Sequence, residues 1–118
     1  MEDESQFIKN IKAIPLKIRD IDSDVYIPIK EANTLITQGN HKKASLLLLE
    51  IIERDIKNIS EKTKEIIPRK MLVVSEIPDI NDDIRDLSLD LMLSVEEDSL
   101  NQNDFILRIK QIRDTILL

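Results

Sequence analysis

Apolar residues recur along this chain at steps of three and four, the spacing of one helix face, and they divide it into helical segments. Phe7, Ile8, Ile11 and Ile14 form a first short stripe behind Ser5, a capping residue type, and Pro15 ends or kinks it. The charged residues 1–4 are expected to fray. Residues 16–24, LKIRDIDSD, read as a linker whose Leu16, Ile18 and Ile21 can still reach a core. A second helix starts near Val25 or Pro28 and runs to Gln38 on the stripe Ile29, Ala32, Leu35 and Ile36. Pro28 fits there as a residue of the first turn.

Gly39 is the single glycine of the chain and follows the last periodic residue of that helix. A helix end commonly needs one residue in the left-handed conformation, which glycine adopts without strain. Asn40, a good N-cap, then opens a third helix. Helix, glycine, cap and helix predict a tight αα-hairpin at the centre of the fold.

The third helix is expected over residues 41–66, stepping through Ala44, Leu48, Ile51, Ile52, Ile56, Ile59, Thr63 and Ile66, with Pro68 stopping it. Its first half is apolar nearly all round, which marks it as the central helix. Residues 69–80, RKMLVVSEIPDI, read either as a strand-like turn or as another short helix. A fourth helix opens at Asp79 or Asn81 and reaches about Glu97, burying Ile80, Ile84, Leu87, Leu91 and Val95. The polar stretch EEDSLNQN leads to Asn103 as cap of a last helix striped by Phe105, Ile109, Ile112 and Ile116. The expected architecture is all-α: an antiparallel helical bundle of four main helices plus a short N-terminal helix, in one domain spanning residues 1–118.

Composition narrows the function classes. The 118 residues are 42% hydrophobic and 34% charged, which is globular, and only Phe7, Tyr26 and Phe105 are aromatic. A net charge of −6 disfavours nucleic acid and anionic membranes as partners. Without cysteine there is no disulfide framework, thiolate metal site or Cys nucleophile. The acidic start MEDESQF is unlike a secretory signal, and no apolar run approaches membrane-spanning length. A cytoplasmic protein is expected, unless a leader has been removed.

The run ANTLITQGNHKKASLLLLEII resembles the helix–turn–helix of a tetratricopeptide-type unit, through its small residue, Gly-Asn turn and Ala44. It covers about 20 residues, without that family's aromatic positions or tandem copies. The run YIPIKEANTLITQGNHKKASLLLLE, followed by a later IP, is similar to the YfdX family of helical proteins. That similarity implies a helical, chaperone-like or stress-linked protein. Neither resemblance carries over catalytic residues.

Four constellations are candidates for chemistry. Asp20, Asp22, Asp24 and Glu31 have the carboxylate spacing of an EF-hand calcium loop, but Val25 stands where that loop needs glycine. Asp79, Asn81, Asp83 and Asp90 repeat the spacing with Ile84 at the glycine place. Acids also gather before helices simply to cap amides and complement the helix dipole, and that reading is preferred. His41, followed by Lys42, Lys43 and Ala44, approximates the His motif of phosphotransfer domains with its lysine one position early. An exposed turn histidine accounts for it better. Glu96, Glu97 and Asp98 read as a solvated charge run.

The reading that follows is a non-enzymatic interaction or scaffold module, with a calcium-responsive domain or a His phosphotransfer domain as alternatives. No cofactor or metal is expected. Leu46, Leu49 and Ile52 exceed what one core stripe requires. They are either covered by other helices or form a patch for a protein partner or a second copy.

Overall fold

A computed structural model describes residues 23–118, with side chains from Tyr26 onward. The expected helix over residues 5–14 therefore lies outside the described residues. The fold is all-α, with five helices among the described residues and no strand. These are α1 (Ser23–Thr37), α2 (His41–Lys57), α3 (Glu61–Ser75), α4 (Asp82–Glu96) and α5 (Gln102–Leu117).

Helix α2 is the hub, packing against each of the other four, as its apolar girth predicts. Ala44, Ser45, Leu48, Leu49, Ile51, Ile52 and Ile56 are buried on it. At about 100° per residue these positions cover nearly half of its circumference. Both α1 and α5 pack on it, and the α3–α4 pair closes the core with Ile67, Met71, Val74, Ile84, Leu87 and Leu91.

The α1–α2 hairpin forms as the glycine predicts. Gly39 has φ +84°, its amide donates to the Ile36 carbonyl, and the Asn40 amide donates to that of Leu35. These are the two bonds of a Schellman ending, which satisfy carbonyls the helix leaves open. A Cβ built on Gly39 would meet nothing within 4 Å, so any cost of substitution is purely one of backbone conformation. Gly39→Ala is expected to lose about 1 kcal/mol in chemical denaturation; unchanged stability would show that φ relaxes freely. Asp98 plays the same part at the end of α4 with φ +53°, its amide bonding to Val95 and that of Ser99 to Ser94.

Several expectations need correction. Asn40 occupies the cap position of α2, yet its side chain makes no capping bond. Pro28 is the sixth residue of α1, not a first-turn residue. The long third helix is two helices. Asn58 turns back so that its side chain and its amide both bond to the Arg54 carbonyl, and Ser60 starts α3 by a reciprocal capping box with Thr63.

Pro68 does not stop a helix but lies inside α3, which continues to Ser75. Residues 69–75 are thus neither a strand nor a separate short helix. A mid-helix proline costs about 3 kcal/mol. The same helix buries Ile67, Met71, Val73 and Val74, each worth about 1.5–3 kcal/mol. Burial wins. The last helix is capped by Asn101, whose side chain accepts from the Asp104 amide, and not by Asn103. Asn81 caps α4 through the amides of Asp83 and Ile84, one of the two starts expected.

Polar side chains tie the helix ends together. Gln102 Nε2 donates to the Ile56 carbonyl at 2.7 Å, closing an open end of α2. Arg85 Nε donates to the Ser75 carbonyl at 3.1 Å, doing the same for α3. Glu53 on α2 joins Lys57 at 2.8 Å and Arg113 of α5. The Lys57 and Arg113 hydrogen bonds hold the Glu53 carboxyl below its ordinary range. Because the folded value is depressed, this stabilisation is complete above the unfolded carboxylate pKa. It is lost as pH falls through the lower folded value. Glu53→Gln should therefore lower stability at neutral pH, with the difference from wild type closing in acid; a pH-independent difference would refute that role.

Candidate functional site

Helix α1 carries two faces. Tyr26, Ile29, Ala32 and Ile36 point into the core, while Ile27, Lys30, Glu31, Thr34 and Leu35 line its outer side. The outer set is spaced i, i+3, i+4, i+7 and i+8, so it makes one continuous stripe. From α2, Lys43 and Leu47, one turn apart, come up beside it. Together they enclose an open groove of about 630 Å³, whose floor is aliphatic and whose rim holds Lys30, Glu31, Thr34 and Lys43. Ile27 remains 49% exposed there, so the groove is an apolar surface the described fold leaves uncovered.

At the hairpin end of this groove stands the start of α2. Its first turn has His41, Lys42 and Lys43 and no acidic residue. By contrast, α3 opens with Glu61, α4 with Asp82 and Asp83, and α5 with Asp104. Of these basic side chains, Lys43 lines the groove, while His41 and Lys42 line a separate hollow with Asp79; all three stand at the positive end of the α2 dipole.

The residues singled out in the sequence are distributed differently. Leu49 and Ile52 have no exposure at all and belong to the core, so they offer nothing to a partner. Only Leu46 of that set reaches the surface, and it is half-buried. Their apolar character is explained by the breadth of α2 that its neighbours cover.

Among the calcium candidates, Asp20 and Asp22 lie outside the described residues. Helix α1 runs from Ser23 through Glu31, so positions four to twelve of that spacing rise along a helix axis instead of wrapping round an ion. In the second set, Asn81 is committed to capping and Asp90 pairs with Arg108 at 3.0 Å. Among the described residues, no three His, Cys, Asp or Glu side chains converge on a metal position.

His41 is exposed at the first position of α2. With Lys42, Ser45, Asp79 and Asn81 it lines a hollow of about 280 Å³. No hydrogen bond links His41, Ser45 and Asp79 among the described residues, so there is no relay to activate a nucleophile. Glu96, Glu97 and Asp98 are exposed, with Asp98 reaching Lys64 at 3.6 Å.

Of the groove residues, the sequence places Leu35 in the core stripe, Lys43 in the His41 motif and Glu31 among the calcium candidates, while Ile27, Lys30 and Leu47 are not singled out. Their signal is present in α1, where Ile27 and Leu35 stand two turns apart beside the core stripe. No described helix is long and apolar enough to cross a membrane. Compared with protein-family models, curated proteins and solved structures, the chain matches none, so the two resemblances rest on the residues quoted for them alone.

Proposed function

We propose that the protein is a non-enzymatic interaction module that buries a partner's amphipathic helix in the α1–α2 groove. The observation that carries this reading is the second, uncovered stripe of α1, where exposed Ile27 joins Leu35 and Leu47 in one aliphatic floor. A helix laid in such a groove supplies apolar anchors at i, i+3 or i+4 and i+7. Lys43, the one residue of the first turn of α2 that lines the groove, favours acidic residues at the adjacent end of that helix. The ligand chemistry is thus an aliphatic helix face with an acidic leading end.

A fluorescent synthetic helix of leucines at that spacing, with a Glu-rich leading end, provides the probe. Saturable binding is expected, weakened about tenfold or more by Ile27→Asp and left intact by Leu93→Asp on the exposed side of α4. Equal loss in both variants, or no binding, would overturn the reading.

A further inference from the structure

We propose that the hollow beside the start of α2 binds a small zwitterion of the α-amino-acid type. The start of α2 holds its carboxylate, Asp79 its ammonium, and Ile36 with Ile116 its aliphatic side chain. This hollow is separate from the α1–α2 groove, and its ligand does not depend on what the groove takes.

The observation that points to a ligand is Ser45. Four polar side chains are buried among the described residues: Ser45, Lys70, Ser75 and Ser88. Lys70 pairs with Asp55, while the Ser75 and Ser88 hydroxyls donate to the carbonyls of Leu72 and Ile84. Ser45 is 8% exposed, yet its hydroxyl has no hydrogen-bond partner among the described residues. A helical serine can turn back to a carbonyl one turn earlier, as Ser88 does, and a buried hydroxyl left open is costly. Ser45 lines the hollow, which is where a partner has room to meet it.

The start of α2 supplies the rest of an anion site. Ala44 is the first residue of this helix whose amide has an acceptor, the Asn40 carbonyl at 3.1 Å. The Asn40 side chain makes no capping bond, so the amides of His41, Lys42 and Lys43 stay open at the positive end of the dipole. Ser45 lies one turn on from His41 and Lys42, on the face that lines the hollow. Open amides, a hydroxyl and basic side chains are groups that hold a carboxylate.

Asp79 faces them from the α3–α4 connection. It forms no ion pair with His41 or Lys42 among the described residues. The Asn81 side-chain oxygen is committed to the amides of Asp83 and Ile84, which leaves Asp79 to meet a cation. Asp79 repels a plain anion, and the α2 start repels a plain cation. A molecule carrying both charges on adjacent groups satisfies both sides, and Ile36 and Ile116 add aliphatic surface. The volume of about 280 Å³ lies just below the roughly 300–1,000 Å³ of drug-sized sites, which suits an amino acid and not a nucleotide.

L-Leucine is the probe, titrated into the isotope-labelled 118-residue chain. Saturating amide shifts are expected at His41, Ser45, Asp79 and Ile116, with a dissociation constant of about 1 mM or below, and none at Leu47 or Leu93. Two blocked forms test the charges separately. N-acetyl-L-leucine lacks the ammonium, L-leucinamide lacks the carboxylate, and each should bind about tenfold more weakly or worse. Ser45→Ala and Asp79→Asn should weaken leucine by a similar factor. Asp79 has φ +63°, a conformation asparagine tolerates, and Ser45→Ala only removes the hydroxyl, so both variants should keep the helical circular dichroism of wild type. Asp79→Asn should also bind N-acetyl-L-leucine at least as well as wild type does, which a purely structural role of Asp79 does not predict.

Absent, unsaturable or scattered shifts with leucine overturn the proposal. So does equal binding of leucine and either blocked form. Inorganic phosphate shifting the same amides as strongly as leucine overturns it too, leaving a simple anion site. If both variants bind leucine as wild type does, the ligand lies elsewhere and the assignment fails. The blocked forms are tested on wild type, so the proposal stands or falls whether or not a substitution unfolds the chain.

Discussion

Ile52→Ala should destabilise the fold by about 2–5 kcal/mol, among the largest effects expected of any single truncation in this chain. Ile52 lies on the hub helix with no exposure, among Leu48, Leu49 and Ile56, themselves fully covered. Removing three carbons there loses their transfer energy and leaves a cavity that the other helices cannot collapse without moving. A domain of this size has only about 5–15 kcal/mol of stability to lose.

The comparison that gives the result meaning is Leu46→Asp, on the half-buried side of the same helix. It should cost far less than Ile52→Asp, which places a carboxylate in the core and should unfold the chain. If Ile52→Asp gave a folded protein, Ile52 would face a partner and the packing described around α2 would be wrong. Urea denaturation followed by circular dichroism distinguishes these outcomes.

The second large effect is expected at Lys70, whose side chain is only 7% exposed and sits 2.6 Å from Asp55. Asp55 on α2 is itself 16% exposed, and its Oδ2 has no other hydrogen-bond partner among the described residues. Lys70→Met keeps most of the aliphatic stem but strands that carboxylate. Breaking a buried pair from one side costs about 3–5 kcal/mol, and the residual exposure of Asp55 places this case near the lower end.

Replacing both partners, Lys70→Met with Asp55→Leu, removes the stranded charge as well as the bond. The double variant should return to within about 1 kcal/mol of wild type, because the pair's attraction is largely offset by its desolvation. A double-mutant cycle therefore predicts strong coupling. Additive losses would mean that water reaches Asp55 and that the pair does not join α2 to α3.

What could be read from the sequence, and what could not, follows from which interactions are local. The stripes of α1, α4 and α5, the Gly39 ending and the central place of α2 depend on period and on one residue's freedom, and all of these are visible in order along the chain. The break after Lys57 is not. Ile56, Ile59 and Thr63 keep helical steps straight across it, so periodicity continues where the backbone turns. Its signal is Ser60 with Thr63, a weaker form of the usual Ser-x-x-Glu box.

Pro68 misleads for the opposite reason. Its local cost is legible, while the burial of Ile67, Met71, Val73 and Val74 that exceeds it depends on tertiary packing against α4, which the local sequence does not show. Choosing Asn101 over Asn103 likewise takes the backbone, since either fits the LNQN stretch. For the site, Leu49 and Ile52 look the same in sequence whether covered or exposed. The groove is built from α1 residues and Lys43 with Leu47, whose proximity exists only once the hairpin closes.

The central claim is that the outer face of the α1–α2 hairpin, and not the apolar excess of α2, is where another helix binds. Mapping amide shifts while titrating the synthetic acidic-leucine helix into the isotope-labelled 118-residue chain tests it most directly. Saturating shifts are expected at Ile27, Leu35, Lys43 and Leu47, with Leu93 on α4 and Leu107 on α5 unmoved. Shifts centred on α4 or α5, or a protein that ignores the peptide altogether, would contradict it.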